Sequence, residues 1–522
     1  MVTFYIDPTV QSGGDGSIGS PFSSWSSVTW AAGNNYYQKA GTTFYGGIVV
    51  GASGTAANRI AVGKYGSGAD PIVTNTSGVG LQSAGQNFIT ISNFRATGCS
   101  SHGMNLRGSN CAFSDLESDN NGGSGVNFNM GASWSDTVYT RINAHDNVDH
   151  AIGAAGNTGG ITIERIRFVD CIGSGSSGSV KHGLYMEFIS GATGSNLKSI
   201  YVDGGSFDNN SGAGINIRNS VDSFPGSSSL YNQDVNIEFV SAASNGTCGI
   251  SILGCAGGKI TFCRVFENGD VGTLGGIWTG RNSGLLVAWN ESIGNKSSGI
   301  DGAGIFDDQY NDKCKFIGNF VYNNRGNIQS QPYYSGYGIA VYGATNSLHQ
   351  GNVVIGNTHG IWISNPVSPT TENCVVVNNT FIENIVSGVN YDYDLGDSKA
   401  VIENNVVVGS VHGIYKPGGS NSFSETTNCC FNNETNFSGI SAGVGSIEID
   451  PRIDSRFLVT NPLLIGAGKS LGGRDFYGGA FHNIPNFGAV QNYENRLQLA
   501  RNVTARSIDE RRIRSRIPIA GV

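Results

Sequence analysis

The chain has 522 residues with 78 glycines and 12 prolines, 39% hydrophobic and 13% charged residues, and a formal net charge of -8. Glycine shows no three-residue period, which excludes collagen, and the recurring apolar alternation excludes a disordered chain. The acidic balance argues against nucleic acid as a partner, and no apolar run approaches membrane-spanning length.

The first residues, Met1 to Pro8, carry neither a basic n-region nor an apolar h-region, so no signal peptide is expected. Phe4-Tyr-Ile-Asp-Pro starts a strand, Gly13 to Pro21 is a Gly/Ser loop, and Ser24 to Ala32 reads as a short helix. Thr43-Phe-Tyr, Gly47-Ile-Val-Val and Arg59-Ile-Ala-Val are further strands. Residues 1–86 are therefore expected to be an N-terminal cap with the first strands, covering a coil that would otherwise expose unpaired edges.

From residue 87 to 440 one phrase returns about every 22–35 residues: Gly, an apolar residue, a free position, and usually another apolar residue. It reads Gly103-Met-Asn-Leu, Gly125-Val-Asn-Phe, Gly183-Leu-Tyr-Met, Gly214-Ile-Asn-Ile and Gly249-Ile-Ser-Ile. It continues as Gly276-Ile-Trp-Thr, Gly304-Ile-Phe-Asp, Gly338-Ile-Ala-Val, Gly360-Ile-Trp-Ile and Gly388-Val-Asn-Tyr, and fades at Gly413-Ile-Tyr. A second strand phrase alternates with it, as in Phe88-Ile-Thr-Ile, Val235-Asn-Ile, Lys259-Ile-Thr-Phe and Val375-Val-Val. The turn between them carries Asn120-Asn121, Asn147, Asn209-Asn210, Asn245, Asn268, Asn295, Asn323-Asn324, Asn357 and Asn384, and one Asn per coil at one corner predicts an internal amide ladder. A repeat this short cannot bury its own apolar face, so successive repeats must stack. The fold class is all-β: a right-handed parallel β-helix of about a dozen coils, roughly 55–60 Å long. Leucine-rich and ankyrin solenoids lack support because their helical halves are missing, and a sandwich would need hairpins.

Residues 441–490 read as a closing element. The stretch 491–522 changes character: Arg496, Arg501, Arg506, Arg511, Arg512, Arg514 and Arg516 outnumber its acids, which predicts a basic arm for assembly or attachment. The ten cysteines sit within strand patterns and show no CxxC pair, as buried thiols made in a reducing cytoplasm would.

Tyr5-Ile-Asp-Pro with Asp15-Gly-Ser-Ile-Gly-Ser-Pro-Phe, and the segment Gly41-Thr-Thr-Phe-Tyr-Gly-Gly-Ile, resemble the start of pectate-lyase-like β-helix proteins. Asn461-Pro-Leu-Leu-Ile-Gly-Ala-Gly, Asp475-Phe-Tyr-Gly and Phe487-Gly-Ala resemble the closing element of that superfamily. The resemblance implies polysaccharide lyases, glycoside hydrolases, epimerases and bacteriophage tailspikes as relatives, and maps no catalytic residue. With the arm and the thiols, it favours a tailspike-type depolymerase, a homotrimer on the virion tail that contacts other tail proteins through the arm; a secreted enzyme is the alternative.

Stacking turns the free position of the phrase into an outward row: Asn105, Asn127, Tyr185, Asn216, Ser251, Trp278, Phe306, Ala340, Trp362, Asn390 and Tyr415. Exposed rings on a polar protein suit stacking on sugars, with Trp278, Phe306 and Trp362 as the main platform. Two positions on, the row reads Glu187, Arg218, Leu253, Gly280, Asp308, Tyr342, Ser364 and Asp392. Substrate contacts are thus expected from Trp278, Phe306, Tyr310, Trp362, Tyr185, Arg218, Tyr342 and Asp392. Asp307 and Asp308, with Arg281 one coil earlier and Asp301 just before, form the densest acidic cluster, and adjacent carboxylates divide into acid and base for glycoside hydrolysis. Strict alternation points Asp307 inward, so a bulge or strand end is expected there.

A second cluster joins Lys181, His182, Tyr185 and Glu187 to Asp149 and His150 one coil earlier and Arg218 one coil later. Cations and a Tyr near a uronate suit β-elimination. His102, His182, His359 and His412 all precede the Gly of the phrase, a recurrence that argues for a corner role. No zinc-type spacing occurs. Three readings result: carboxylate-assisted hydrolysis of a bacterial surface polysaccharide with Asp307, Asp308, Arg281 and Glu187 as the catalytic set; a uronate lyase or epimerase; or a non-catalytic receptor-binding shaft. No cofactor is required, and Ca2+ enters only for a lyase.

Overall fold

A strand of three to six residues with alternating side chains buries its inner row only if another strand lies above and below it. The computed structural model builds the chain this way. It describes residues 1–491 apart from residue 12 and 190–191, 221–230, 272–273, 297–301, 327–335, 365–370, 393–399, 418–422, 471 and 482–484. Its faces are three sheets of parallel strands: sheet 1 with 20 strands, sheet 2 with 15, and sheet 3 with 8, which begins only at Ser241. One coil shows the path: Leu286–Ala288 in sheet 1, Glu291–Ile293 in sheet 3, Ala303–Asp307 in sheet 2, then Lys315–Ile317 back in sheet 1. The molecule is a right-handed parallel β-helix, the sense that parallel crossovers almost always take. Fifteen strands in sheet 2, rather than about a dozen, make a shaft of about 65–70 Å. Four sheet 2 strands lie beyond the eleven phrases, Ile48–Val49, Leu81–Gln82, Ile152–Gly156 and Thr435–Ser438; ahead of the third, Ala151 stands where the glycine recurs.

The corners explain the asparagines. A residue in the left-handed region turns the chain, and the next residue tucks its side chain inside. Asn209 (φ 57), Ser244 (φ 53) and Glu267 (φ 57) precede Asn210, Asn245 and Asn268 in this way. Asn245 Oδ1 accepts both the backbone N–H and the side-chain N–H of Asn210, each at 3.0 Å. The pattern repeats through Asn268, Asn295, Asn324, Asn357 and Asn384. A second ladder, which the sequence reading did not single out, lines the corner between sheets 1 and 3: Asn290, Asn319, Asn352, Asn379, Asn405 and Asn428. A buried amide is costly unless its donors and acceptor are met, and stacking meets them coil by coil.

Near the N-terminus the strands Thr3–Ile6, Asn35–Lys39 and Ile60–Tyr65 join sheet 1 in parallel below Ile89–Thr97. The helix expected over Ser24 to Ala32 is a single 3-10 turn, Trp25–Ser27, capped by the Ser24 side chain. β-branched Val28 and Thr29 end it, and Trp25 is turned down onto Phe94, with ring centroids 6.2 Å apart.

From Phe320 onward sheet 3 is largely apolar on both faces. Val321, Val354, Phe381, Val407 and Cys430 point into the shaft, while Phe320, Val353, Val406 and Cys429 point out. The closing segment covers that outer row. After Ile447, whose backbone pairs with Cys429 as the last rung, the chain doubles back along sheet 3. Phe457 and Val490 pack on Phe320 and Val353, and Val459, Leu464 and Phe487 on Val406 and Cys429. The Gly488 N–H bonds Asn404 O at 2.8 Å, and Gln350 Nε2 donates to Gly472 O at 2.8 Å. The expected closing element thus divides: it reaches the last rung at Ile447, and from Ile449 to Gln491 it forms a strap along the side of the shaft. The basic arm lies outside the described residues beyond Gln491.

All ten cysteines are buried and unpaired, and burial pushes the Cys171, Cys248, Cys255 and Cys263 thiols up to about 12.

A candidate active site on the second sheet

Register places the outward rows of sheet 2. Tyr185 lies beside Asn216, Asn216 beside Ser251, Ser251 beside Trp278, and Trp278 beside Phe306. Large, small, small, large is the pattern from Tyr185 to Trp278, so two aromatic walls about 14 Å apart, three coil spacings, bound a trough. Gly153, one coil earlier, lets the Tyr185 strand come close: a Cβ there would stand 2.7 Å from Tyr185 Cβ. The trough is a cleft of about 350 Å³ lined by His150, Lys181, His182, Tyr185, Glu187, Asn216, Arg218, Ser251 and Trp278, with Thr247 and Leu274 at its edge.

On its floor, Glu187 sits opposite Arg218 in the next strand. The carboxylate is 3% exposed; Arg218 Nε lies 2.9 Å from its Oε1 and the side chain of Arg218 is 33% exposed, so the pair turns its cation outward. Ser220 Oγ donates to Oε1 at 2.6 Å, and the Tyr185 hydroxyl makes a short hydrogen bond to Oε2. Burial, then the bond to Glu187 and its charge, raise the Tyr185 phenol, which stays protonated at neutral pH. Lys181 pairs with Asp149 at 2.8 Å at one side.

The histidines form a corner ladder. His102 Nδ1 accepts Ser124 N–H at 2.9 Å, His150 Nδ1 accepts His182 N–H at 3.0 Å, and His182 Nδ1 accepts Ala213 N–H at 2.8 Å. Burial first lowers both inner imidazoles, His150 to about 4 and His182 to about 3. The rings of His150 and His182 stack at 5.2 Å, and Tyr185 covers His150 at 4.2 Å.

Asp307 has to be reassigned. It ends the strand Ala303–Asp307, and no bulge turns it out: it points into the shaft and is 0% exposed. Asn311 Nδ2 donates to its Oδ1 at 2.8 Å, and His349 Nε2 lies 3.1 Å from Oδ2. A carboxylate sealed in this way cannot reach a polymer, so the acid–base pair with Asp308 does not form. Asp308 faces outward, accepting Trp278 Nε1–H at 2.8 Å and Gln309 N–H at 2.7 Å. Arg281 lies just past the neighbouring strand (φ 58), its backbone N–H bonded to Gln309 O at 2.9 Å. Asp301 lies outside the described residues.

Phe306, expected as an exposed platform ring, is 5% exposed and packs with Ala303, Tyr337 and Ala340. Farther along, Trp362 stacks between Tyr337 at 4.5 Å and Tyr342 at 5.9 Å. Tyr310 turns the chain beyond Asp308 (φ 64), and Asp392 ends the strand Ser387–Asp392, beside Ser364. The structure thus brings Tyr185, Glu187, Arg218 and Trp278 together in one cleft, reaches Asp308 through Trp278, and leaves Trp362, Tyr342 and Asp392 downstream. Ser220, Thr247 and Leu274 were missed by sequence reasoning because they lie outside the Gly-Ile phrase.

Among the described residues, Glu117, Asp119 and His145 on sheet 1 bring one potential ligand atom each within 4.8 Å of one another. Arg95 already lies there, with Nε and a terminal nitrogen each 2.8 Å from the Asp119 carboxylate. No helix of the described residues is long and apolar enough to cross a membrane.

Residues 293–431 match the family model described as a right-handed beta helix region. No curated protein sequence matches the chain. Among solved structures, a GH136 lacto-N-biosidase from Eubacterium ramulus is similar at 13% identity and a TM-score of 0.41, over 81% of this chain and 68% of that one. An alginate lyase from Paenibacillus sp. str. FPU-7 is similar at 12% identity and a TM-score of 0.29, over 81% and 98%. The A-module of the mannuronan C-5 epimerase AlgE6 from Azotobacter vinelandii is similar at 13% identity and a TM-score of 0.36, over 80% and 92%. At these identities no residue role is carried over.

Proposed function

We propose that the protein binds an anionic polysaccharide along sheet 2 and cleaves it in the Tyr185–Trp278 cleft. One observation carries this reading: outward cations (Arg218, Lys181), a phenol (Tyr185) and an indole (Trp278) converge in one trough, while Glu187 lies beneath its surface. Guanidinium and ammonium groups suit the carboxylates of a uronate polymer, and the Trp278 ring suits the apolar face of a sugar. Carboxylate-assisted hydrolysis by Asp307 and Asp308 lost its pair when Asp307 turned inward.

The test is incubation with uronate-containing and neutral capsular or extracellular polysaccharides, following new reducing ends and the ultraviolet absorbance of unsaturated ends. Both signals on the acidic polymers mean a lyase; reducing ends alone mean a hydrolase. Binding without either sinks the enzyme reading and favours a receptor-binding shaft. A loss of cleavage with chelator would move charge neutralisation from Arg218 and Lys181 to Ca2+. For the setting, we keep a phage tailspike-type depolymerase, a trimer with arm 491–522 as its attachment segment; the terminal sequence motifs and the Arg-rich arm support it.

A further inference from the structure

Which group moves a proton in this cleft follows from where its lone pairs go. A neutral imidazole has one acceptor nitrogen. His182 Nδ1 uses it on Ala213 N–H at 2.8 Å, and His150 Nδ1 on His182 N–H at 3.0 Å. The remaining nitrogen of His182 therefore carries hydrogen and lies 3.1 Å from Asn216 Nδ2, a contact that becomes a hydrogen bond with the Asn216 amide turned so that its Oδ1, otherwise without a partner, accepts; that of His150 faces Asp149 at 3.5 Å. Neither ring has a lone pair for a substrate proton. The Arg218 guanidinium and the Lys181 ammonium have none either. Glu187 is buried, with its oxygens taken up by Arg218, Ser220 and Tyr185. Tyr185 alone in this set is a half-buried residue lining the cleft whose hydroxyl is joined to a group that can accept its proton.

We infer that Tyr185 is the catalytic residue that carries the substrate proton and that Glu187 is its positioning residue, holding the phenol proton while Tyr185 acts. The inference rests on the polysaccharide reading above and names the reaction as β-elimination. The Tyr185 oxygen takes the C5 proton of a uronate unit as its own proton passes to Glu187. The C5–H electron pair forms the C4=C5 double bond and the C4–O4 bond breaks. Tyr185 then protonates the leaving O4, and Glu187 returns its proton to Tyr185. Nothing is oxidised or reduced, and no co-reactant is consumed. Arg218, beside Glu187, and Lys181, which also lines the cleft, supply the cations for the uronate carboxylate, whose neutralisation makes the C5 proton removable.

Polygalacturonate, alginate and hyaluronan are the uronate probes, with dextran as the neutral control. Tyr185→Phe keeps the ring against His150 and should lower kcat at least ~100-fold with KM little changed. Glu187→Gln should lower kcat and move the pH–rate profile, with Glu187→Asp partly restoring both. A second readout needs no substrate. Ultraviolet difference titration of the wild-type protein against Tyr185→Phe isolates this phenol among the facing groups His150, His182, Asp149, Lys181, Glu187 and Arg218. It should ionise above the range of free tyrosine in the wild-type protein and at lower pH in Glu187→Gln. Full activity of Tyr185→Phe on a cleaved probe, or a Tyr185 phenol that titrates like the free amino acid, overturns the inference. Cleavage of no probe together with the expected titration supports the coupled pair and sinks the polysaccharide reading instead.

Discussion

An aspartate that points into an apolar shaft has to be held by donors, and Asp307 is held by Asn311 and His349. Asp307→Ala would leave both partners buried without their acceptor, and should cost about 3–5 kcal/mol of stability in urea unfolding. Trp278→Ala should leave the fold intact and weaken glycan binding by about 1–3 kcal/mol in calorimetry, by analogy with base–aromatic stacking. His150 and His182 set a pH dependence. Their folded values, about 4 and about 3, lie below the ordinary 6.5, so the unfolded chain binds more protons between those limits. Stability should therefore be full above pH 6.5 and fall as the pH drops, by up to about 1.4 kcal/mol per unit for each ring until its folded value is reached. Urea midpoints at pH 7 and 5 check this, with His182→Gln flattening the slope. The outward rows were legible because period two and a recurring glycine fix both register and face. The direction of Asp307 was legible too; the adjacent carboxylate pair outweighed it, although strict alternation already sent that residue inside. What the sequence could not show was cover: Phe306 lies in the outward row, yet Tyr337, from the next coil, buries it.

Sheet 3 shows the same limit among elements. Phe320-Val-Tyr, Val353-Val-Ile and Val406-Val-Val are apolar at every position, a pattern that signals cover on both faces. The repeat accounted for one face, and nothing in it says that residues 449–491 return to cover the other. Phe487, a strap residue 1% exposed where the strap meets Val406, is the sensitive point. Phe487→Ala should cost about 3–5 kcal/mol. Removing residues 449–491 should expose the outer row and cause aggregation, whereas truncation after Tyr493 should leave the β-helix circular dichroism unchanged. The second asparagine ladder recurs at the same coil spacing, but its members sit between two short strands of the same coil, away from the Gly-Ile phrase that the sequence reading followed.

For the whole molecule, stacked coils contact mainly their neighbours, so stability is close to a sum of local terms. The proposed trimer should appear as three times the 54.6 kDa chain mass in light scattering, and as the single-chain mass after removal of the arm if the arm holds it together.

The strap also decides how this molecule would bear load. Val490 ends beside Phe320 and Val353, several coils short of the last rung at Ile447. A pull between residue 1 and residue 491 would therefore run through the early coils and leave the shaft sideways, with the last coils outside the path of the force. In an optical trap those coils should stay folded until the strap peels away, giving two rupture events where a simple stack of coils would unravel from its ends.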